Sequence, residues 1–170
     1  AWPKDPAGLR EYTGTVFDSI AGRYDLVARL LSFGLDARWR AKAIDGIPQG
    51  SPATRLLDLA SGTGAFTLML RARGFQGRIV CLERSWAMIG VAGRRCGSRP
   101  FTDVIQGDLL ELPFAAGSFD VVTMGYGLRY VASIRRAVRT ISAMLRPGGL
   151  FIALEFGRPR NRLHRSATLA

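Results

Sequence analysis

From Leu56 onward, short apolar runs alternate with stretches of helical periodicity, and this alternation restricts the fold more than any other feature. Five runs read as strands: Leu56 to Ala60, Arg78 to Glu83, Thr102 to Gln106, Phe119 to Met124 and Leu150 to Phe156. Each is short and mostly apolar, the pattern of a strand covered on both faces. Strands separated by helices imply a parallel sheet joined by right-handed crossovers, an α/β doubly wound architecture. The clearest helix lies before the fifth run. Ser133 is its expected N-cap. Ile134, Ala137, Val138, Ile141 and Leu145 form one apolar face, and Pro147-Gly148-Gly149 stops the helix.

Residues 1–50 lack a strand pattern. Tyr24 to Ile44 reads as amphipathic helix broken near Gly34, able to pack over the sheet or form a lid. The expected organisation within a single domain is a helical lid or substrate segment over residues 1–50, a Rossmann-like core over 51–157 and an Arg-rich tail over 158–170. A chain of 170 residues suits one such α/β domain. No apolar run approaches the roughly 20 residues of a membrane span. Ala1 to Arg10 shows no apolar leader core, so the expected location is the cytosol.

Several chemistries are excluded. Cys81 and Cys96 are the only cysteines and lack CxxC spacing, while His164 is the only histidine. That leaves no expected metal site and no Ser-His-Asp triad. The net charge of +11 is uneven: residues 121–170 carry 9 basic and 1 acidic side chains, a local +8. Such an excess can attract anionic lipid, nucleic acid or an acidic partner, or can be a solvated surface in an Arg-rich protein.

The strongest local signal is Leu57-Asp58-Leu59-Ala60-Ser61-Gly62-Thr63-Gly64-Ala65-Phe66. Here a strand enters a glycine turn and then a helix, at the C-terminal strand end where ligands of open α/β folds bind. A dinucleotide site would carry a third glycine where this chain has Thr67. That difference, with the acidic Asp58, favours a nucleoside bearing a cationic sulfonium over a pyrophosphate. Glu83 ends the second run 21 residues after Gly62, where a carboxylate can accept from both ribose hydroxyls. The alternative for Glu83 is a strand-end acid pairing with Arg84. Gly107-Asp108 follows the third run, where Asp108 can accept an adenine amino group and Leu109 can meet the ring edge. Together these signals at successive strand ends point to S-adenosylmethionine.

The chain resembles the ubiquinone/menaquinone biosynthesis C-methyltransferases, which are class I S-adenosylmethionine-dependent enzymes. The resemblance rests on Val16 to Ala21 with Arg23-Tyr24-Asp25, Leu30 to Asp36 with Trp39-Arg40, and Leu57 to Gly64. It continues through Leu112-Pro113-Phe114, Gly127-Leu128-Arg129, Leu145 to Gly149, and Leu154-Glu155-Phe156 with Pro159. It implies a Rossmann-like sheet of order 3-2-1-4-5. It also implies that Gly62, Thr63 and Gly64 wrap the cofactor's amino-acid part, that Glu83 meets the ribose, and that Asp108 and Leu109 meet the adenine. Gly125 would lie under the cofactor. Tyr24 would stand near the reaction, and Arg129 would activate the ring hydroxyl of a quinol. The sequence departs from the family pattern at Ala65, at Tyr130 and after Phe156. There the family continues with further strands, where this sequence has its Arg-rich tail and is either a fragment or a naturally short protein, so the expected sheet lacks its usual last strands and methyl transfer is expected to be poor.

The expected reaction is methyl transfer to an aromatic ring carbon made nucleophilic by loss of a neighbouring hydroxyl proton. Tyr24, Asp25 or a water held by Arg129 are the candidate proton acceptors. Phe17, Tyr24, Tyr126, Arg129 and Tyr130 are expected to line the substrate pocket. A prenylated substrate would bring the protein to an anionic membrane surface, through its basic residues and N-terminal helices. The bare edge of the fifth strand suggests a homodimer. The competing readings are methylation of RNA or another anionic substrate, and a non-catalytic S-adenosylmethionine-binding module.

Overall fold

A computed structural model describes residues 5–157 of the chain. The expected tail over 158–170 lies outside the described residues. Three helices come first. Helix α1, Pro6–Ile20, is capped by Asp5, whose side chain accepts from the Gly8 N–H at 2.7 Å. A short 3₁₀ turn leads into α2, Tyr24–Leu31, and the chain then turns at Phe33-Gly34 into α3, Leu35–Ile44. The break expected near Gly34 is therefore real. The remaining elements are β1 Arg55–Leu59, α4 Ala65–Ala72, β2 Arg78–Glu83, α5 Trp86–Cys96, β3 Thr102–Gln106, β4 Phe119–Gly125, α6 Ile134–Met144 and β5 Leu145–Leu154, alternating strand with helix except between β3 and β4, where no helix intervenes.

All five strands are parallel, in the order β3-β2-β1-β4-β5. β1 is central, with Leu57 opposite Val80 on one side and Val122 on the other. Alternation along β1 divides its side chains between two cores. Leu57 and Leu59 join Leu82, Val122, Met124, Ala137 and Ile141. Leu56 joins Ile44, Phe66, Leu70, Ile79 and Cys81 on the other face.

Two local expectations need correction. Ser133 caps α6 as expected, accepting from the Arg136 N–H at 3.3 Å. The buried stripe is Ala137, Ile141 and Met144, however, and Ile134 and Val138 are exposed. The stripe pressed on the sheet is rotated by half a residue step, about 50°, and Ile134 and Val138 fall on its flank. Pairing in β5 also starts earlier than Leu150. Leu145 already pairs with Phe119, and an irregularity separates that pair from the Val121–Leu150 pair. Pro147-Gly148-Gly149 lies within that irregularity, which fits proline's inability to donate to a ladder.

The N-terminal helices lie across the carboxyl ends of the strands. Asp18 of α1 accepts a short hydrogen bond from Ser85 and a second from the Ala87 N–H, 3.3 Å away, at the start of α5. Thr13 accepts from the Arg84 guanidinium at 2.8 Å. Among the described residues, no helix is long and apolar enough to cross a membrane.

Candidate active site

The glycine turn after β1 is wound tightly. Ala60, Gly62 and Gly64 have φ of 48°, 55° and 80°. A non-glycine residue in this region stores strain of the kind found at ligand sites. Gly64 caps α4 and is packed from below. A Cβ there would lie 2.5 Å from the Cys96 sulfur, whereas a Cβ on Gly62 would meet nothing within 4 Å.

Beneath the turn, Asp58 is fully buried. It accepts from Thr67 Oγ1 at 2.9 Å and Thr123 Oγ1 at 2.8 Å. Burial pushes its carboxyl up to about 6, against the pull of the two hydroxyls and of Arg40. Thr67 thus holds Asp58 at the position where a dinucleotide fold would carry its third glycine. The hydrogen bond with Cys96, and then burial, push the neighbouring Cys81 thiol up.

Glu83 turns inward rather than toward the Arg84 side chain. Its Oε2 accepts the Gly62 N–H at 2.9 Å, and its Oε1 accepts the N–H groups of Arg84 and Ser85 at 2.8 and 2.9 Å. Asp108 accepts the Leu110 N–H at 2.8 Å, and its other oxygen pairs with Arg10 of α1.

These groups line a first cleft of about 130 Å³ over the ends of β1, β2 and β3. Gly62, Glu83, Asp108, Leu109, Gly125 and Tyr24 are all in its wall, with Arg10, Thr13, Arg84 and Met88 added from α1 and the β2–α5 junction. Thr63 lines a small annex beside Gly62. Asp58 and Gly64 support the turn without lining the cleft.

A second cleft of about 400 Å³ lies between α1, α2, α3 and the segment after β4. Phe17, Tyr24, Tyr126, Arg129 and Tyr130 all line it, joined by Asp36, Trp39, Arg40 and Phe156. Its walls are aromatic: Tyr126 stacks on Phe156 with ring centroids 5.0 Å apart, and Phe17 meets Tyr130 edge-on at 5.0 Å. The Arg129 guanidinium lies 4.6 Å from the Phe156 centroid and pairs with Glu155. Burial raises the phenols of Tyr24 and Tyr130, and Tyr126 is raised by burial and by Asp36, so all three remain protonated donors near neutral pH. The two clefts meet at Phe17, Tyr24, Tyr126 and Tyr130.

The structure does not bring Asp25 to the second cleft. Its carboxylate accepts from Thr63 Oγ1 at 2.8 Å and pairs with Arg95. Successive helical residues point about 100° apart, so Tyr24 facing the clefts sends Asp25 toward the glycine turn. Sequence reasoning also missed Arg10 and Arg40. The i, i+4 spacing of Asp36 and Arg40 was the available signal for the second.

Residues 8–169 match the profile of the ubiE/COQ5 methyltransferase family. The chain is 41% identical over 145 residues to a demethylmenaquinone methyltransferase of Thermus thermophilus, covering 85% of this chain and 66% of that protein. It is 41% identical over 148 residues to a 2-phytyl-1,4-naphtoquinone methyltransferase of Thermosynechococcus vestitus, covering 85% of this chain and 64% of the relative. It therefore spans slightly less than two thirds of the length of these relatives. Among solved structures, the Haemonchus contortus phosphoethanolamine N-methyltransferase 1, in complex with phosphoethanolamine and S-adenosylhomocysteine, superposes with a TM-score of 0.73. The identity there is 20%, over 89% of this chain and 33% of that one, a likeness of fold alone. By its profile match and these relatives, the chain belongs to the ubiE/COQ5 methyltransferase family.

Proposed function

We propose that the chain binds S-adenosylmethionine in the first cleft and directs its methyl group to a ring carbon of a quinol-type substrate held in the second. The observation that carries this reading is the meeting of a cleft whose wall bears Glu83 and Asp108 with an aromatic one bearing Arg129. The names of the two relatives support the choice of substrate class.

The residues fit the cofactor. Glu83 accepts three N–H groups, and two carboxylate oxygens offer about four acceptor sites, so it can still take a ribose hydroxyl. Asp108 can accept an adenine amino group by sharing or releasing Arg10. The space over Gly62 leaves room for a ligand against the backbone. When bound, S-adenosylmethionine supplies an electrophilic methyl on a sulfonium.

The protein's task is then largely placement of two reactants face to face. The aromatic walls hold the ring flat, and the Arg129 guanidinium lowers the pKa of the ring hydroxyl, whose proton passes to water. Guanidinium keeps its own charge throughout. Tyr24, kept neutral by burial, donates a hydrogen bond where the clefts meet rather than acting as a base.

The test is calorimetry with S-adenosylmethionine followed by radiolabel transfer to a demethylated naphthoquinol. Glu83→Ala should weaken cofactor binding by about 1–3 kcal/mol, the usual cost of stranding buried partners. Absence of binding by the unaltered protein defeats the reading.

We also propose that α2 rests on an anionic membrane surface, beside the mouth through which a prenyl tail would enter. Leu26, Leu30, Leu31 and Phe33 are exposed there, Phe33 at 93%, and α2 carries Arg29 in its last turn. A helix with this apolar face suits an interfacial position. Leu30→Asp with Phe33→Asp should reduce sedimentation with phosphatidylglycerol vesicles about tenfold, since each charge would have to leave water at the interface. Equal sedimentation of the double variant and the parent removes α2 from the contact.

A further inference from the structure

We infer that Arg40 reads the carboxylate at the amino-acid end of the cofactor, so that the site selects an α-amino acid and not the nucleoside alone. The inference rests on the S-adenosylmethionine reading above. Arg40 sits on α3 and is 7% exposed. Its Nε donates to both oxygens of Asp36, at 3.1 and 2.9 Å, one helical turn earlier. The guanidinium lies between the rings of Phe66 and Tyr126, 5.5 and 5.1 Å from their centroids. Nε is therefore committed and the plane is fixed by packing. Among the described residues, none accepts a hydrogen bond from Nη1 or Nη2. Its Nη N–H groups are left facing the open space that Arg40 lines, where an anion can complete them.

Those N–H groups sit at the glycine turn. Arg40 lines the annex of about 20 Å³ beside Gly62, together with Ser61, Thr63 and Phe66. Ser61 Oγ is buried there without a hydrogen-bond partner, a second orphan in the same wall. The annex is small, which suits a planar carboxylate better than a tetrahedral phosphate. Charge points the same way. Arg40 is balanced by Asp36, and Asp58 lies close enough beneath the turn to feel its field. A dianion would meet two carboxylates, whereas a zwitterionic amino acid offers one negative group to the guanidinium and one positive group to the acids. The planar fork of arginine matches a carboxylate with two parallel hydrogen bonds.

The experiment compares S-adenosylhomocysteine with 5′-methylthioadenosine, which carries the same nucleoside thioether without the amino acid. By calorimetry, the unaltered protein should bind the first at least 100-fold tighter. Arg40→Met should weaken S-adenosylhomocysteine 30-fold or more and leave 5′-methylthioadenosine within threefold. Asp36→Asn with Arg40→Met should give the same pattern without stranding the Asp36 charge, and thermal melting verifies that both variants fold. Decarboxylated S-adenosylmethionine provides a test on the unaltered protein, which should bind it at least 30-fold more weakly than S-adenosylmethionine. Equal loss of both thioethers in the variants, or indifference to decarboxylation, overturns the role of Arg40 while the cofactor reading stands. Failure of the unaltered protein to bind any of these nucleosides overturns both.

Discussion

Gly64→Ala is expected to cost about 2–5 kcal/mol of stability, and Gly62→Ala only about 1–2. Both residues have positive φ, which an L-residue tolerates at a cost of about 1–2 kcal/mol. At Gly64 a second cost is added. The new methyl would lie 2.5 Å from the sulfur of Cys96, itself fully buried, and overpacking of this kind costs about 1–3 kcal/mol. At Gly62 the methyl meets open space in the wall of the first cleft. The consequences for binding should separate from those for stability. Gly62→Ala places a methyl in the wall of the proposed cofactor cleft and should weaken S-adenosylmethionine at least tenfold in a protein that still melts near the parent temperature. Gly64→Ala should lose both properties together. Urea unfolding with calorimetry on both variants decides the matter, and equal destabilisation would show that Cys96 yields freely.

Much of this site is written in the sequence because its parts are local. The glycine turn, Glu83 and Asp108 each sit at the end of an apolar run, and β2 and β3 occupy the residues expected from those runs alone. Sheet order follows once the chain is placed in its fold family. What the sequence conceals is the direction of individual side chains. Asp25 neighbours Tyr24 in sequence, yet one helical step sends its carboxylate to Thr63 and Arg95. Asp58 belongs to the expected motif, but strand alternation buries it beneath the turn, held by the nearby Thr67 and by Thr123, which is distant in sequence. Arg10 reaches Asp108 across 98 positions, a contact that only docking of α1 over the sheet creates. Periodicity also misjudged α6, because it reports that a helix is amphipathic more reliably than where its stripe is centred.

The same docking gives the N-terminal helices two duties. Through Arg10, Thr13 and Asp18, α1 closes over the first cleft and fastens to the start of α5. Through Phe17, Tyr24 and Trp39, the three helices supply aromatic wall to the second. A substrate in the second cleft would press on the elements that line the first. Asp25 has the corresponding part at the turn itself, where its bond to Thr63 and its pair with Arg95 tie α2 to the glycine turn and to α5.

Arg129→Met should lower kcat for methyl transfer by about 10²–10³, the range for removing one donor aimed at developing charge, and leave cofactor affinity within threefold. Arg129 lines the second cleft and not the first, so its loss should not reach the nucleoside. The fold should tolerate the change. Glu155 retains the Phe156 N–H at 3.0 Å and the backbone N–H of residue 129 at 3.2 Å, and a pair this exposed contributes about 0–1 kcal/mol. Arg129→Lys should recover little, because a lysine cannot reproduce the planar group that lies over Phe156 and bonds Glu155 through Nε and Nη2. The pH profile separates chemistry from packing. If the guanidinium stabilises the ring oxyanion, its removal raises the apparent pKa for kcat, so that activity lost at neutral pH partly returns under alkaline conditions. Asp25→Asn should behave differently, weakening S-adenosylmethionine through the glycine turn while the profile keeps its shape. An Arg129→Met protein with unchanged kcat, or with its whole defect in cofactor binding, would leave Arg129 as no more than the partner of Glu155.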